Sequence, residues 1–152
     1  MNFQLAIESH TPLTPVEDPE EATMAFLSSI GYFPKSRGSR NETRGVRSGV
    51  PFKLFYECFL KRMDKVWTIE ELAVKLHTTK PTIYRHINKL KGFDLLEEAS
   101  ANEQNKKGYR IRYGNLAKAW NFTESHVEMT MENYRKSVDH IQSLVERGKE
   151  GG

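Results

Sequence analysis

Residues 67–91 hold the feature that most constrains the fold, because two short helical patterns follow each other with only two residues between them. Thr68 and Glu71 have the spacing of a capping box, in which each side chain bonds to the other residue's backbone N–H. Thr79 is followed by Pro81, which predicts a second N-cap with proline in the first turn, where its missing N–H does no harm. The sequence therefore predicts a short helix, a tight turn, and a further helix that begins at Thr79.

The helix that begins at Thr79 has two different faces. Ile83, Ile87 and Leu90 recur at the spacing of a core-facing stripe. Most other side chains are basic or hydrogen-bonding, and the predicted exposed set is Thr79, Lys80, Thr82, Tyr84, Arg85, Asn88 and Lys89. Residues 80–91 contain four bases and no acid. That composition suits a helix lying between two phosphate backbones.

A β-hairpin is predicted after this helix. Gly92 is a plausible helix stop, and residues 93–99 indicate a return to the core followed by a strand. The polar stretch 100–108 supplies the turn formers Asn102, Asn105 and Gly108, and residues 109–113 alternate apolar or aromatic with basic, as in a half-buried strand. Four cations at the tip and on the second strand are placed to touch a polyanion: Lys106, Lys107, Arg110 and Arg112.

Two helices are predicted before the capping box. Asp18 and Pro19 begin a helix over residues 19–30 that Gly31 should end, with Ala22, Ala25, Phe26, Ser29 and Ile30 on its packed side. The second begins near Pro51, and its apolar residues recur at core-helix spacing: Phe52, Phe55, Tyr56, Phe59, Leu60 and Met63. Cys58 lies among them, where a buried structural thiol is the ordinary interpretation. Residues 3–7 either add an edge strand or fray.

Residues 35–50 contain five bases and one acid. They also contain three glycines, and their apolar residues show no periodicity. Two interpretations stay open: an arm whose arginines, Arg44 and Arg47 among them, contact DNA phosphates or the minor groove, or a solvated linker.

The C-terminal residues predict a long helix capped by Thr123 and ending at Gly148. Its apolar residues follow heptad spacing: Val127, Met131, Tyr134, Val138, Ile141 and Val145. The seam favours a homodimer, and the alternative is a helix packed on its own domain, against residues 19–30. Leu116, Trp120 and Phe122 are expected to join this helix to the preceding domain.

Charge and composition restrict the function. The net charge is +3, yet residues 1–34 hold five acids and no Lys or Arg, so the bases concentrate between Lys35 and Arg112, as expected of a surface that faces a polyanion. No apolar run approaches the length of a membrane span and no secretory signal begins the chain, which predicts a cytoplasmic protein without a membrane partner. A single cysteine and histidines without partners at ligand spacing predict no metal and no cofactor.

The chain carries no catalytic motif, so we expect no enzyme. An enzyme would need a pocket that gathers Glu97, Glu98, His86 or His77, or a triad assembled from distant positions.

The order helix, helix, turn, helix, hairpin over residues 51–113 resembles the winged helix-turn-helix transcriptional regulators, especially the ArsR-like and TrmB-like groups. The resemblance is carried by residues 68–73 (TIEELA), 79–90 (TKPTIYRHINKL) and the Leu95-Leu96 pair. It implies that Ala73 lets two helices approach and that the Thr79 helix reads the major groove. His77 and Thr78 stand where those families usually carry glycine and an apolar residue.

These observations predict a mainly α winged helix-turn-helix with a hairpin wing, an N-terminal helix and a long C-terminal helix. The expected division is an N-terminal extension (1–34), a basic arm (35–50), the winged domain (51–113), a dimerisation segment (114–148) and a tail (149–152). The expected function is a homodimeric, sequence-specific regulator of transcription that binds double-stranded DNA through residues 79–91 and the wing. The alternative is a winged-helix module for protein interaction or RNA association. An effector ligand is left open.

Overall fold

The structure, a computed structural model, describes residues 3–8, 16–33 and 48–150. Its elements are α1 (Pro19–Ser29), α2 (Val50–Lys53) continued by a π-helical segment (Leu54–Leu60), α3 (Ile69–Lys75), α4 (Lys80–Gly92), β1 (Leu96–Ser100), β2 (Lys107–Ile111), a 3-10 turn (Arg112–Gly114) and α5 (Leu116–Glu150). The predicted fold class is confirmed: the chain is mostly helical, with a two-stranded hairpin and a long C-terminal helix. Arg44 and Arg47 of the predicted arm lie outside the described residues.

Helix α1 begins and ends as its capping residues predict, but its buried face differs from the predicted one. The Asp18 carboxylate accepts a hydrogen bond from the Glu20 amide, and Gly31 follows the helix with φ of +83°. The buried side chains inside the helix are Thr23, Met24 and Leu27. The predicted face is therefore wrong only in part: Ile30 is buried as expected, but Ala22, Ala25, Phe26 and Ser29 are half-buried, because α1 packs most closely on its Leu27 side.

The helix after Gly49 forms the floor of the core. Residues 54–60 take π-helical geometry, which was not predicted, and five of these seven side chains are buried: Leu54, Phe55, Tyr56, Cys58 and Phe59. A wider turn brings more consecutive side chains to one side than an α-helix does. Burial raises the pKa of the Cys58 thiol to about 11, so the thiol stays protonated near neutral pH, in line with a structural role.

The hairpin is hydrogen-bonded to Trp67, which lies just before the N-cap residue of α3. Strands β1 and β2 are antiparallel, with Leu96 opposite Ile111 and Ser100 opposite Lys107. Trp67 and Tyr109 form an additional antiparallel bridge, in which each backbone N–H donates to the other carbonyl at 2.8 Å. This bridge fixes the hairpin against the start of α3.

Two predictions about the hairpin were wrong. Gly108 is not in the turn but within β2, where an added Cβ would lie 2.7 Å from both the Trp67 carbonyl oxygen and Val66 Cγ1. The second strand ends at Ile111, because Tyr113 and Gly114 both take left-handed backbone conformations and turn the chain toward α5. The turn itself uses Asn102, whose side-chain oxygen accepts from the amides of residues 104 and 106.

Helix α4 ends at Gly92, the predicted stop, and the left-handed residue that follows is Asp94, with φ of +65°. Both ends of α5 differ from prediction, because the helix begins at Leu116 and continues past Gly148 to Glu150. Thr123 does not cap the last helix but is fully buried within it, donating to the Phe93 carbonyl at 2.8 Å. The side chain of Asn115 accepts from the Lys118 amide, so Asn115 occupies the N-cap position of α5.

Gly108→Ala is expected to lower the free energy of unfolding by about 1–3 kcal/mol, because the new methyl group would collide with the Trp67 backbone. Urea denaturation followed by circular dichroism measures the change. Gly148→Ala is the matched control, since no atom lies within 4 Å of its added Cβ. A Gly108 variant as stable as the Gly148 variant would contradict the close approach.

Candidate nucleic-acid interface

The turn between α3 and α4 is formed without glycine. His77 takes φ of +52°, and the next residue, Thr78, donates its amide to the Ala73 carbonyl at 3.0 Å. The capping box predicted before α3 is present, with the Thr68 side chain accepting from the Glu71 amide and the Glu71 carboxylate accepting from Thr68. The turn therefore has left-handed geometry at the position where histidine replaces the expected glycine.

Helix α4 divides into a core face and an exposed face as predicted. Ile83, Ile87 and Leu90 are fully buried. Thr79 caps the helix by accepting from the Thr82 amide, and Thr82 is half-buried beside it. The exposed side chains are Lys80, Tyr84, Arg85, Asn88 and Lys89. One surface of α4, a helix that holds no acid, thus presents two ammonium groups, a guanidinium, an amide and a phenol.

His86 lies at the edge of this face and is half-buried. Burial, reinforced by the nearby charges of Arg85 and Lys89, lowers the pKa of its imidazole. His86 is therefore neutral near pH 7, and it offers hydrogen bonds instead of a positive charge. Burial also lowers the pKa of Lys89.

Glu70 joins the start of α4 to the tip of the wing. Its two carboxylate oxygens lie 3.5 Å from Lys80 Nζ and 3.4 Å from Lys106 Nζ. A backbone hydrogen bond first, and then Lys106 and Lys80, hold the pKa of Glu70 below its usual value. Two cations of the predicted DNA surface thus share one exposed carboxylate.

Glu98 plays the same part on the other side of the wing. Its Oε1 lies 2.7 Å from Lys91 Nζ and 3.1 Å from Lys107 Nζ. The two lysines lower the pKa of Glu98, and Glu98 in turn raises the pKa of Lys107. Both ammonium groups at the wing tip are therefore paired with carboxylates in the isolated chain.

Arg110 and Arg112 point less toward solvent than the alternating pattern implies. Arg110 Nε donates to Glu97 at 2.9 Å, across the pair that these residues form in the hairpin. Arg112 follows the strand, donates to the Asp94 carbonyl at 2.9 Å, and lies 4.1 Å from the centre of the Phe122 ring. Both guanidinium groups therefore stabilise the wing and its junction with α5 in the isolated chain.

Sequence reasoning missed the three acids that hold these cations. Glu97 could have been identified, because opposite charges directly across a hairpin are a favourable pair once the register is known. The roles of Glu70 and Glu98 depend on the approach of α3 and α4 to the wing, which no local pattern encodes. Glu70, Tyr84 and Lys107 line a small cleft of about 170 Å³ between α4 and the wing.

Helix α5 leaves the domain after its first turns. Trp120 packs edge-on against Phe26 of α1 at 5.3 Å, so the start of the helix lies on its own domain. Every side chain from residue 131 to residue 150 is exposed. The predicted seam residues Met131, Tyr134, Val138, Ile141 and Val145 are between 52% and 62% exposed, and Val127 is half-buried. An apolar stripe thus remains uncovered along the projecting part.

Across residues 3–8, 16–33 and 48–150, no three His, Cys, Asp or Glu side chains are placed to hold a metal ion. In the same part of the chain, no helix is both long enough and apolar enough to span a membrane.

No protein-family model matches the sequence, and no curated protein matches it. A solved structure of S. aureus MepR bound to ethidium bromide is similar at 14% sequence identity, over 87% of this chain and 91% of that chain, with a TM-score of 0.30. The element order, hydrogen bonds and burial described above define the fold. They are those of a winged helix-turn-helix.

His77→Gly is expected to raise the free energy of unfolding by about 1 kcal/mol, because glycine takes positive φ without the steric cost of a Cβ. The His77 side chain is exposed, so little packing is lost. Thr78→Gly, at a half-buried neighbour without positive φ, is the control and should lower stability. Urea denaturation of both variants measures the difference, and destabilisation of equal size in both would contradict the strained turn.

Proposed function

We propose that this chain is a sequence-specific regulator of transcription that binds double-stranded DNA as a homodimer. The observation that carries the proposal is the exposed, acid-free face of α4, which lies beside a wing with two lysines at its tip. A helix of this diameter fits the major groove of B-DNA, which is about 12 Å wide. Because the core face of α4 is fully buried, only its opposite, exposed face can contact DNA.

Within this interface, residue chemistry divides the contacts. Arg85 and Asn88 are one turn apart and exposed, and these side chains make bidentate hydrogen bonds to guanine and adenine, respectively. Thr79, Lys80, Thr82, Tyr84 and Lys89 surround them and reach phosphates or base edges. Specificity is assigned to Arg85 and Asn88, and positioning to the surrounding groups.

The wing supplies the flanking contacts. Lys106 and Lys107 are exposed at its tip, and DNA phosphates would replace Glu70 and Glu98 as their partners. Arg110 and Arg112 stabilise the wing through their hydrogen bonds to Glu97 and Asp94, and they add positive potential to its surface. Arg44 and Arg47 remain proposed phosphate or minor-groove contacts of the arm.

The exposed stripe of α5 is proposed as the dimer interface. Val127, Met131, Tyr134, Val138, Ile141 and Val145 repeat every three or four residues, as side chains at a two-helix seam do. Two-fold pairing would present two copies of α4 to DNA sites about 34 Å apart, so the bound sequence would be an inverted repeat.

Selection of bound sequences from a random duplex pool tests the function and the symmetry together. An enriched inverted repeat supports a homodimeric DNA reader. An unenriched pool, combined with capture of one stable protein or RNA partner, would favour the alternative of an interaction module, for which the uncovered stripe of α5 offers a surface.

Arg85→Ala is expected to weaken binding to the selected sequence by about 1–3 kcal/mol and to relax discrimination at one base pair. Lys107→Ala should weaken binding to all duplexes alike and lower the salt slope by about 1. Fluorescence anisotropy with selected and scrambled duplexes at several salt concentrations separates the two effects. Identical behaviour of the variants would contradict the division between reading and positioning.

Glu70→Gln is expected to tighten binding to every duplex severalfold and to steepen its salt dependence, because Lys80 and Lys106 lose the carboxylate that competes with phosphate. Glu103→Gln makes the same charge change on the wing turn at a side chain without an ion pair in the described residues. If both variants tighten binding equally, net charge alone explains the effect and Glu70 has no special role.

Ile141→Glu is expected to raise the dimer dissociation constant by about tenfold or more, because a carboxylate would be buried in the seam. Ser143→Glu places the same charge on the opposite face of α5 and should leave the dimer intact. Sedimentation velocity measures both, with circular dichroism to show that the winged domain stays folded. A wild-type chain that is monomeric at all concentrations would overturn the dimer.

A further inference from the structure

A cavity of about 490 Å³ lies between the C-terminal part of α4, the end of α1 and the N-terminal residues Gln4 and Ala6. Ile30 and Phe93, both buried, form its apolar floor together with Gly31 and Gly92. Its volume falls within the range of small-molecule sites, about 300–1,000 Å³. The cavity is therefore large enough for a small organic molecule and has an apolar surface to receive it.

The N-terminal residues 3–8 cross this cavity as a strap. The Gln4 amide donates to the Gly92 carbonyl at 3.0 Å, and the Glu8 amide donates to the Ser29 carbonyl at 3.3 Å. Gln4 and Ala6, two residues apart, line the cavity between these two bonds. The strap thus joins the end of α4 to the end of α1.

The strap is also attached to α5. The Phe3 ring stacks on His126, with ring centres 3.9 Å apart and planes at 18°. His126 Nδ1 in turn lies 2.7 Å from an Asp94 carboxylate oxygen. The strap is therefore attached to α1, α4 and α5.

Three polar side chains converge on the cavity: Gln4, Asn88 and Lys89. Within the described residues, none of the three has a side-chain hydrogen bond, and Lys89 contacts no carboxylate; its ammonium group lies 5.9 Å from the centre of the Tyr32 ring. An unpaired cation and two amides above an apolar floor match a molecule with one anionic end and one apolar end.

We propose that this cavity binds a small organic acid, with its carboxylate on Lys89, Asn88 and Gln4 and its apolar body on Ile30 and Phe93. The acid would draw Asn88 and Lys89 away from DNA, since the same two residues belong to the exposed face of α4. This regulatory consequence rests on the proposed DNA-binding function, whereas binding of the acid does not.

Phenylacetate is a suitable probe, with the neutral phenylacetamide as its matched control. In NMR spectra of the full chain without DNA, phenylacetate is expected to shift the amide signals of Gly31, Gly92 and Gln4 saturably. Phenylacetamide is expected to bind with an affinity lower by about tenfold or more. Absence of saturable shifts at these amides, or equal binding of both probes, would overturn the site.

Lys89→Met keeps an unbranched side chain only one atom shorter and removes the charge, and it should lower the affinity for phenylacetate by about tenfold. Lys61→Met is the control, because Lys61 also lies over a tyrosine ring, 5.0 Å from Tyr56, but outside the cavity. Equal affinities of the two variants would overturn the assignment of Lys89.

At a concentration equal to its dissociation constant for the wild-type chain, phenylacetate should weaken DNA binding by the wild-type chain and have a much smaller effect on DNA binding by the Lys89 variant. If phenylacetate binds and DNA affinity does not change, the site stands and its regulatory role fails. If no duplex binds at any salt concentration, the proposed function fails independently of the site.

Discussion

The backbone bridge between Trp67 and Tyr109 is the contact on which the candidate interface depends. Two hydrogen bonds of 2.8 Å tie the second strand of the hairpin to the residue before the capping box of α3. Gly108 makes this approach feasible, since any side chain there would meet the Trp67 carbonyl. Because the bridge fixes the wing beside α3 and α4, Glu70 can reach both Lys80 and Lys106, and the cleft between α4 and the wing has a definite shape.

The charges of this surface are arranged as a set of internal pairs. Glu70 and Glu98 each hold two lysines, and Glu97 holds Arg110. The lysine pairs of Glu70 and Glu98 are largely exposed and contribute little to stability, because water screens them and ordering long side chains costs entropy. Their main consequence is electrostatic, because each carboxylate offsets part of the positive charge of the wing. On α4, by contrast, Arg85 has no acid partner in the described residues, so its charge is not offset by a carboxylate there.

The loop after α4 connects that helix to α5, the helix that projects from the domain. Thr123 donates to the Phe93 carbonyl, Arg112 donates to the Asp94 carbonyl, and His126 pairs with the Asp94 carboxylate. These contacts are made to Phe93 and Asp94, the two residues that follow α4, and they fix the direction of α5 relative to α4.

The sequence by itself determined the features that depend on neighbouring residues. Capping signals are local, so the starts of α1, α3 and α4 and the two faces of α4 follow from Asp18, Thr68, Thr79 and the spacing of the apolar residues. Only the tertiary structure decided the place of Gly108 in a strand, the burial of Thr123, the left-handed conformation of Asp94 and the pairing of Glu70. Each of these depends on contact between elements distant in sequence. The local sequence pattern indicates which secondary structure a residue favours, but tertiary packing decides which residues its side chain contacts.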